Sequence, residues 1–427
     1  MRSSDSHKSR VFYSHACSLP WTTLLVNYDG EISFCCFHYP FAKINTVSEN
    51  AMDEIWNGEV AQRLRRRWNE GRLQGTPCAN CFGLRMFRKY GHPVENMPDM
   101  SAPTFDNAQL NIHEFQEGKA ILKSMPVEIV YIPSVLCNLR CIHCFQPPVG
   151  KYNNTYIEPG SLLKFYHYLG SRAARNVFSG GEPLYLRQTY QLIGEFSPDH
   201  KAASEAVFQT NGMLIRNKFQ SIAGFKKYGF RISISSFRKE TYEHIQKGAT
   251  FERLIENLEF LKRCKSEGMD ISMTLIIVLM KSNFVDLASI FEFAETHKFD
   301  EVWVLPVQEA FGKGEVLQGE NIFTLPYLLE RIPSWRDILS KASSKAMTTG
   351  NRLTGYHLEY IQNQLSSSVV VNRYRSVWNL FVWLLRRTIL RLLFSSAKTQ
   401  RLVSVWRRLR PVLTSRNFSR SRRGSFN

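Results

Sequence analysis

From residue 126 onward, short apolar, β-branched runs alternate with stretches of helical period. The extended runs are Val127–Ile132, Asn176–Phe178, Ala206–Gln209, Arg231–Ser235, Ile271–Val278 and Glu301–Leu305. Between them, Ser161–Ser171, Leu186–Phe196, Ile215–Tyr228, Phe251–Glu267 and Phe284–His297 repeat apolar positions every three to four residues. Six strands alternating with helices predict a parallel sheet, open or curled into part of a barrel. In such folds, functional groups collect where strands end at their C-terminal side.

The first 125 residues follow another pattern. Trp21–Val26 and Glu31–Cys36 form a predicted hairpin around Asp29-Gly30, a strong turn pair. A helix follows near Met52–Gly71, where Trp56, Val60 and Leu64 share one face with Ile55 beside them. Pro77–Cys81 makes a tight loop. Residues 91–122 hold Pro93, Pro98 and Pro103 with little periodicity and read as a linker. The fold expected is α/β, a partial (β/α)6 barrel preceded by a small cysteine-bearing module and followed by a helical basic tail. Its divisions are a module at 11–90, a linker at 91–125, the α/β core at 126–306, a helical extension at 307–373 and a basic tail at 374–427.

Charge sharpens the description of the tail. The chain has 427 residues, 44% of them apolar, and a net charge of +18. Fourteen of its 55 Lys and Arg fall in residues 373–427, which contain no Asp or Glu, so the body is nearly balanced. Val377–Phe394 sets a broad apolar face against Arg386, Arg387 and Arg391, and Arg401–Arg410 repeats the theme. Each arginine would cost roughly 2.5–3.5 kcal/mol at a bilayer centre, which argues against spanning. Three readings remain: a helix packed on the body, an anionic membrane surface as partner, or phosphate contacts to nucleic acid. No recognised nucleic-acid motif accompanies the third, the least favoured. Ser415–Asn427 is of low complexity and expected to be disordered. Met1–Arg10 is polar and shows no secretory signal, so the expected location is cytoplasmic, with peripheral attachment to the inner membrane face through the tail.

In a reducing compartment, nine cysteines, eight of them in three compact groups plus the anchor Cys17, suggest metal rather than disulfides. Cys264 stands alone in a helical stretch and reads as a packing residue. The first strand of the core runs into Cys137-Asn138-Leu139-Arg140-Cys141-Ile142-His143-Cys144. Three thiols on a loop at a strand's C-terminal end suit a soft metal centre with one position left open; the plain alternative is a structural zinc knuckle. Ser179-Gly180-Gly181-Glu182-Pro183 follows the second strand. Its glycines permit close backbone approach to a ligand, and Glu182 can accept from a cationic amine. Thr210-Asn211-Gly212 follows the third strand.

Taken in this order, the motifs resemble the radical S-adenosylmethionine (SAM) superfamily over roughly residues 126–306. The resemblance implies a [4Fe–4S] cluster on Cys137, Cys141 and Cys144, with SAM on the open iron. His143 replaces an aromatic residue usual before the third cysteine. Gly180, Gly181, Glu182, Asn211 and Ser233 are the implied SAM contacts, with His143 beside them. Asn283 is either a further contact or a helix N-cap. Ser233 is equally readable as a buried strand serine. Lys239–Leu261 also matches, with two departures: Ser235 stands where Asp is frequent, and Gln246 where Arg is frequent.

The N-terminal module resembles the first part of a SPASM or twitch module, on Cys17, Trp21, Asp29-Gly30, Cys35-Cys36, Glu54-Ile55-Trp56-Asn57, Cys78 and Cys81. The resemblance implies a second [4Fe–4S] cluster on Cys17, Cys35, Cys78 and Cys81, with Cys36 able to replace Cys35; a four-cysteine zinc site is the alternative. Such modules normally follow the radical SAM domain, whereas this one precedes it. The implied activity is reductive cleavage of SAM to a 5′-deoxyadenosyl radical that abstracts hydrogen from substrate, most often a peptide in relatives with this module. Dehydrogenation of a sugar or cyclitol alcohol is the alternative. A non-catalytic, membrane-attached Fe–S and SAM-binding regulator is the rival of another class, and a tRNA-modifying enzyme a weaker one. The implied partners are a reductant such as ferredoxin or flavodoxin and a peptide or small-molecule substrate. No catalytic acid or base is assigned from the sequence.

Overall fold

The computed structural model describes residues 17–35, 45–46, 52–81, 104–144, 156–307, 319–322, 332–349, 354–355, 358–359 and 361–363. The basic tail and Cys36 lie outside the described residues. Among those described, no helix is long and apolar enough to cross a membrane.

The N-terminal strands are β1 (Thr23–Val26), β2 (Glu31–Ser33) and β3 (Asn45–Thr46). They are followed by β4 (Glu128–Tyr131), β5 (Arg140–Cys141), β6 (Arg175–Phe178), β7 (Glu205–Thr210) and β8 (Lys227–Ser233). The last three are β9 (Gln246–Lys247), β10 (Ile271–Leu279) and β11 (Glu301–Pro306). Nine of them form one sheet in the order β11-β10-β8-β7-β6-β4-β1-β2-β3. The six core strands are parallel and sit beside one another in sequence order, as in a barrel wall. An open doubly wound sheet would reverse direction part-way. Among the described residues the wall does not close on itself, which makes the barrel partial.

Register across the wall is set by aromatic side chains. Tyr131, Phe178, Phe208 and Phe230 are register partners on four successive strands. Their rings stack with centroids 5.5, 5.1 and 5.8 Å apart, and all four are fully buried. Phe165, Phe196 and Phe219, from the helical connections, pack against this row. Since strand side chains alternate between faces, Gln209, Arg231 and Ser233 fall on the opposite face. Arg231 lies over the Trp303 ring there, 5.1 Å from its centroid.

The N-terminal module is built into this wall. β1 pairs in parallel with β4, Thr23 opposite Glu128 and Val26 opposite Tyr131, and β2 returns antiparallel. The stretch expected to be a linker contains a helix, Thr104–Gln116. Its buried face mixes Ala108 and Phe115 with Asn111 and Glu114, so polar residues interrupt the apolar period. Those polar groups hold the module: Asn111 Nδ2 donates to Trp21 O (2.6 Å) and Ser124 Oγ (2.9 Å). Trp21 donates to Lys119 O and Trp56 to Ser124 O, both at 2.7 Å. Arg65 is fully buried, 4.6 Å from the Trp56 ring centroid, and donates to Pro20 O, Asn57 Oδ1 and Ala120 O. Burial pulls its guanidinium down to about 9, so it stays charged at neutral pH, opposite Glu114.

Other differences from expectation are local. Leu19–Thr22 is a helical turn with Pro20 in its first turn, so the first strand begins at Thr23. The helix expected over Met52–Gly71 breaks at Gly58 into Met52–Asn57 and Glu59–Asn69. The helix expected over Ile215–Tyr228 ends at Ile222, and β8 begins at Lys227. In the extension, Trp335–Thr348 is helical.

Replacing Phe208 by Ala removes one rung from the middle of the aromatic row. It should destabilise the fold by about 3–5 kcal/mol, as large-to-small core changes do. A fall in the urea midpoint at unchanged slope is the expected reading.

Candidate functional site

The loop after β4 carries Cys137, Cys141 and Cys144, each half-buried. The Leu139 N–H points at the Cys137 sulfur from 3.4 Å, and Asn211 Nδ2 approaches it at 3.8 Å. Asn211 also donates to Asn138 Oδ1 at 2.9 Å, so the end of β7 steadies the cysteine loop. The loop is held a second time at β5, where Cys141 is the register partner of Gln246 in β9 and Ile142 N donates to Ile245 O. Burial pushes the Cys137 thiol up to about 11, against the pull of the Leu139 N–H. A metal centre here must therefore displace protons as it binds.

Under this loop lies the segment 179–183. Gly181 N donates to Ser134 O, and Glu182 N to Leu136 O. A Cβ on Gly181 would stand 1.9 Å from Leu136 O, and one on Gly180, whose φ is +118°, 2.4 Å from Ser134 O. The close approach that requires these glycines is thus to the cysteine loop's own backbone. Glu182 is fully buried. Its Oε1 accepts from Thr210 Oγ1 (2.7 Å) and Leu184 N (3.1 Å), and its Oε2 from Asn211 N (2.8 Å). Burial raises its carboxyl to about 7 despite these donors. The sequence offered Glu182 as an acceptor for a ligand amine; here it ties β7 to the glycine segment.

Ser233 stands half-buried on the same sheet face as Arg231. His143, also half-buried, precedes Cys144 in the loop. Asn283 makes no cap; it donates to Ser235 O and Val278 O and accepts from Met280 N, bracing β8 to β10. The two departures in the Lys239–Leu261 stretch meet each other. Gln246 Oε1 accepts from Ser235 N (2.9 Å) and Ser235 Oγ (2.8 Å), all buried. A neutral hydrogen-bonded pair fills the place where an Asp and an Arg are frequent.

At the N-terminal module, Cys35, Cys78 and Cys81 all lie within electrostatic range of Cys17. Burial raises the Cys17 thiol strongly and the Cys78 thiol to about 11. Among the described residues, no three Cys, His, Asp or Glu side chains converge as ligands of a single ion do. Both cysteine sets offer soft sulfur donors of the kind that hold iron–sulfur groups. The core set also has an orphaned polar atom nearby: the Tyr242 hydroxyl is buried with no hydrogen-bond partner among the described residues. These observations fit a resident iron–sulfur group.

Residues 131–294 match the radical SAM superfamily. The core of this chain is a radical SAM domain. Residues 17–82 match SPASM, an iron–sulfur cluster-binding domain. The cofactors of a radical SAM domain are a [4Fe–4S] cluster and SAM, and the SPASM match adds a further cluster. Among similar proteins, a GTP 3′,8-cyclase of Alkaliphilus metalliredigens is 26% identical over 44% of this chain and 59% of its own length. An Fe-coproporphyrin III synthase of Methanosarcina barkeri is 26% identical over 51% of this chain and 52% of its own. The chain thus spans between half and three-fifths of the length of these relatives. The crystal structure of Streptococcus suis SuiB bound to precursor peptide SuiA aligns at 18% identity with a TM-score of 0.39, over 66% of this chain and 61% of that one.

Residues the sequence did not single out also shape this cluster of motifs. Thr210 orients Glu182, Asn138 receives Asn211, and Tyr242 lies buried behind the cysteine loop. Thr210 and Asn138 sit inside motifs already marked, so adjacency was their only signal.

Three outcomes follow from these contacts. Gln246→Ala strands two buried Ser235 donors and should cost about 1–3 kcal/mol. Gln246→Arg should be rescued by adding Ser235→Asp, since the pair then regains opposite charges; a double-mutant cycle on unfolding midpoints measures that coupling. For Glu182, the folded carboxyl binds more proton than the unfolded one between about 4.5 and 7. Its contribution to stability is therefore fully present at the acidic end and lost as pH rises through about 7. The stability gap between wild type and Glu182→Gln should shrink over that window in pH-resolved thermal unfolding.

Proposed function

We propose that the chain is a radical SAM enzyme that reductively cleaves SAM and modifies a substrate, a peptide by first preference. The observation that carries this reading is the cysteine loop itself. Its three half-buried thiols stand beside a buried Glu182–Asn211 network at the C-terminal end of a parallel wall.

In this reading, Cys137, Cys141 and Cys144 hold the cluster as thiolates. Leu139 N–H and Asn211 steady the first sulfur, and β9 fixes the second through its register with Cys141. Bound together, cluster and SAM supply one-electron cleavage of a carbon–sulfur bond followed by hydrogen-atom abstraction. Gly180 and Gly181 present backbone toward SAM. His143, Asn211 and Ser233 line the same end of the wall, and Glu182 fixes the glycine segment and Asn211 from behind. The sheet face bearing Gln209, Arg231 and Trp303 receives substrate. Cys17, Cys35, Cys78 and Cys81 hold the auxiliary cluster, and an external ferredoxin or flavodoxin provides electrons. The preference for a peptide rests on the auxiliary module. A sugar or cyclitol alcohol is the second class of substrate, and a SAM-binding regulator without turnover is the non-enzymatic rival.

After anaerobic reconstitution, dithionite and SAM should yield 5′-deoxyadenosine, and Cys141→Ala should abolish it. Undiminished release from that variant would sink the assignment, while SAM binding without release would favour the regulator. Triple replacement of Cys137, Cys141 and Cys144 by Ala should leave about four irons per chain at the N-terminal site, as a cluster held by four thiolates does.

A further inference from the structure

Tyr242 belongs to the helix Lys239–Ile245, which leads without a break into β9. That strand is hydrogen-bonded to β5, with Gln246 opposite Cys141 and Lys247 opposite Arg140. Ile142 N reaches Ile245 O at 2.9 Å. The helix that carries Tyr242 is therefore fastened by backbone to the middle of the cysteine loop.

The Tyr242 side chain is completely buried. Its ring meets Phe251 edge to face, with centroids 5.6 Å apart, and this packing holds it in place. Its hydroxyl has no hydrogen-bond partner among the described residues. Buried tyrosine hydroxyls normally find a partner, and an orphan calls for an explanation such as a group the polypeptide does not itself provide. The sulfur of Cys141 is close enough to raise the phenol's proton affinity further, beyond the larger effect of burial. The Tyr242 hydroxyl itself makes no hydrogen bond to that sulfur.

Resting on the function proposed above, we infer that the Tyr242 hydroxyl donates a hydrogen bond to a sulfur of the cluster held at Cys141 and so tunes its reduction potential. Hydrogen bonds to cluster sulfurs withdraw negative charge and favour the reduced state. Tyr242 is thus a positioning residue for electron supply. It takes no part in binding SAM or substrate.

The test is a potentiometric titration of the reconstituted holoenzyme, followed by electron paramagnetic resonance. The radical SAM cluster is recognised by the change in its signal when SAM is added. Tyr242→Phe keeps the ring and its contact with Phe251. It should bind as much iron as wild type, with a midpoint shifted to more negative potential. It should also lose one exchangeable-proton coupling, seen by comparing electron–nuclear double resonance in light and heavy water. Incorporating 3-fluorotyrosine at 242 strengthens the donor and should shift the midpoint the other way, which keeps the test open if the Phe variant loads poorly. An unchanged midpoint with all proton couplings retained in the Phe variant, or no shift with 3-fluorotyrosine, overturns the assignment. No SAM-responsive cluster signal in wild type would overturn the proposed function, and this role with it.

Discussion

Four aromatic rings, one on each of four neighbouring strands, fix the level at which everything else is built. Tyr131, Phe178, Phe208 and Phe230 face the helices in a single row. A slip of one residue would turn a ring to the wrong face of the sheet. With the row aligned, the four strands end on the rung or within three residues beyond it. The cysteine loop, the glycine segment, Thr210-Asn211 and Ser233–Ser235 then emerge side by side. The contacts among them are short-range: a 2.8 Å bond from Asn211 N to Glu182 and a 2.9 Å bond from Asn211 to Asn138. None could form if one strand were displaced by the ~3.3 Å rise of a single residue.

The cysteine loop is also held from above, and that hold shows how a departure from family pattern can be locally self-consistent. A carboxylate opposite a guanidinium at this depth carries a large desolvation penalty. Ser235 and Gln246 keep the tie between the end of β8 and β9 with two neutral hydrogen bonds. Nearby, Ser236 and Arg238 both donate to Asp286, anchoring the same turn to the segment after β10. The turn after β8 is therefore tied to two elements, and Cys141 inherits that rigidity through its register with Gln246.

Much of this was legible in the sequence because the informative residues are apolar and periodic, or chemically distinctive. The β-branched runs marked all six core strands, and the cysteines and Gly-Gly-Glu-Pro segment marked the ends of two. What escaped notice was built from polar residues in buried places. Asn111 and Glu114 face inward on the helix Thr104–Gln116 and erase its apolar stripe, so a packed helix read as linker. β9 has two residues, too few for any periodicity. The glycines read in the sequence as sites of close approach to a ligand; the structure adds a close approach to the chain itself. That distinction depends on where Leu136 O and Ser134 O lie, which no local pattern encodes.

The pairing of β1 with β4 also orders events during synthesis. Thr23 leaves the ribosome 105 residues before Glu128, its partner across the sheet. At ~5–20 residues per second the delay is on the order of 5–20 s. A short hairpin is marginal in water without a further strand or helix to cover it. Its cover here, the helix Thr104–Gln116 and β4, arrives only at the end of that interval. Until then Cys17 and Cys35 belong to an unfinished edge, open to solvent and to stray oxidants. Completion of this module is thereby coupled to translation of the core.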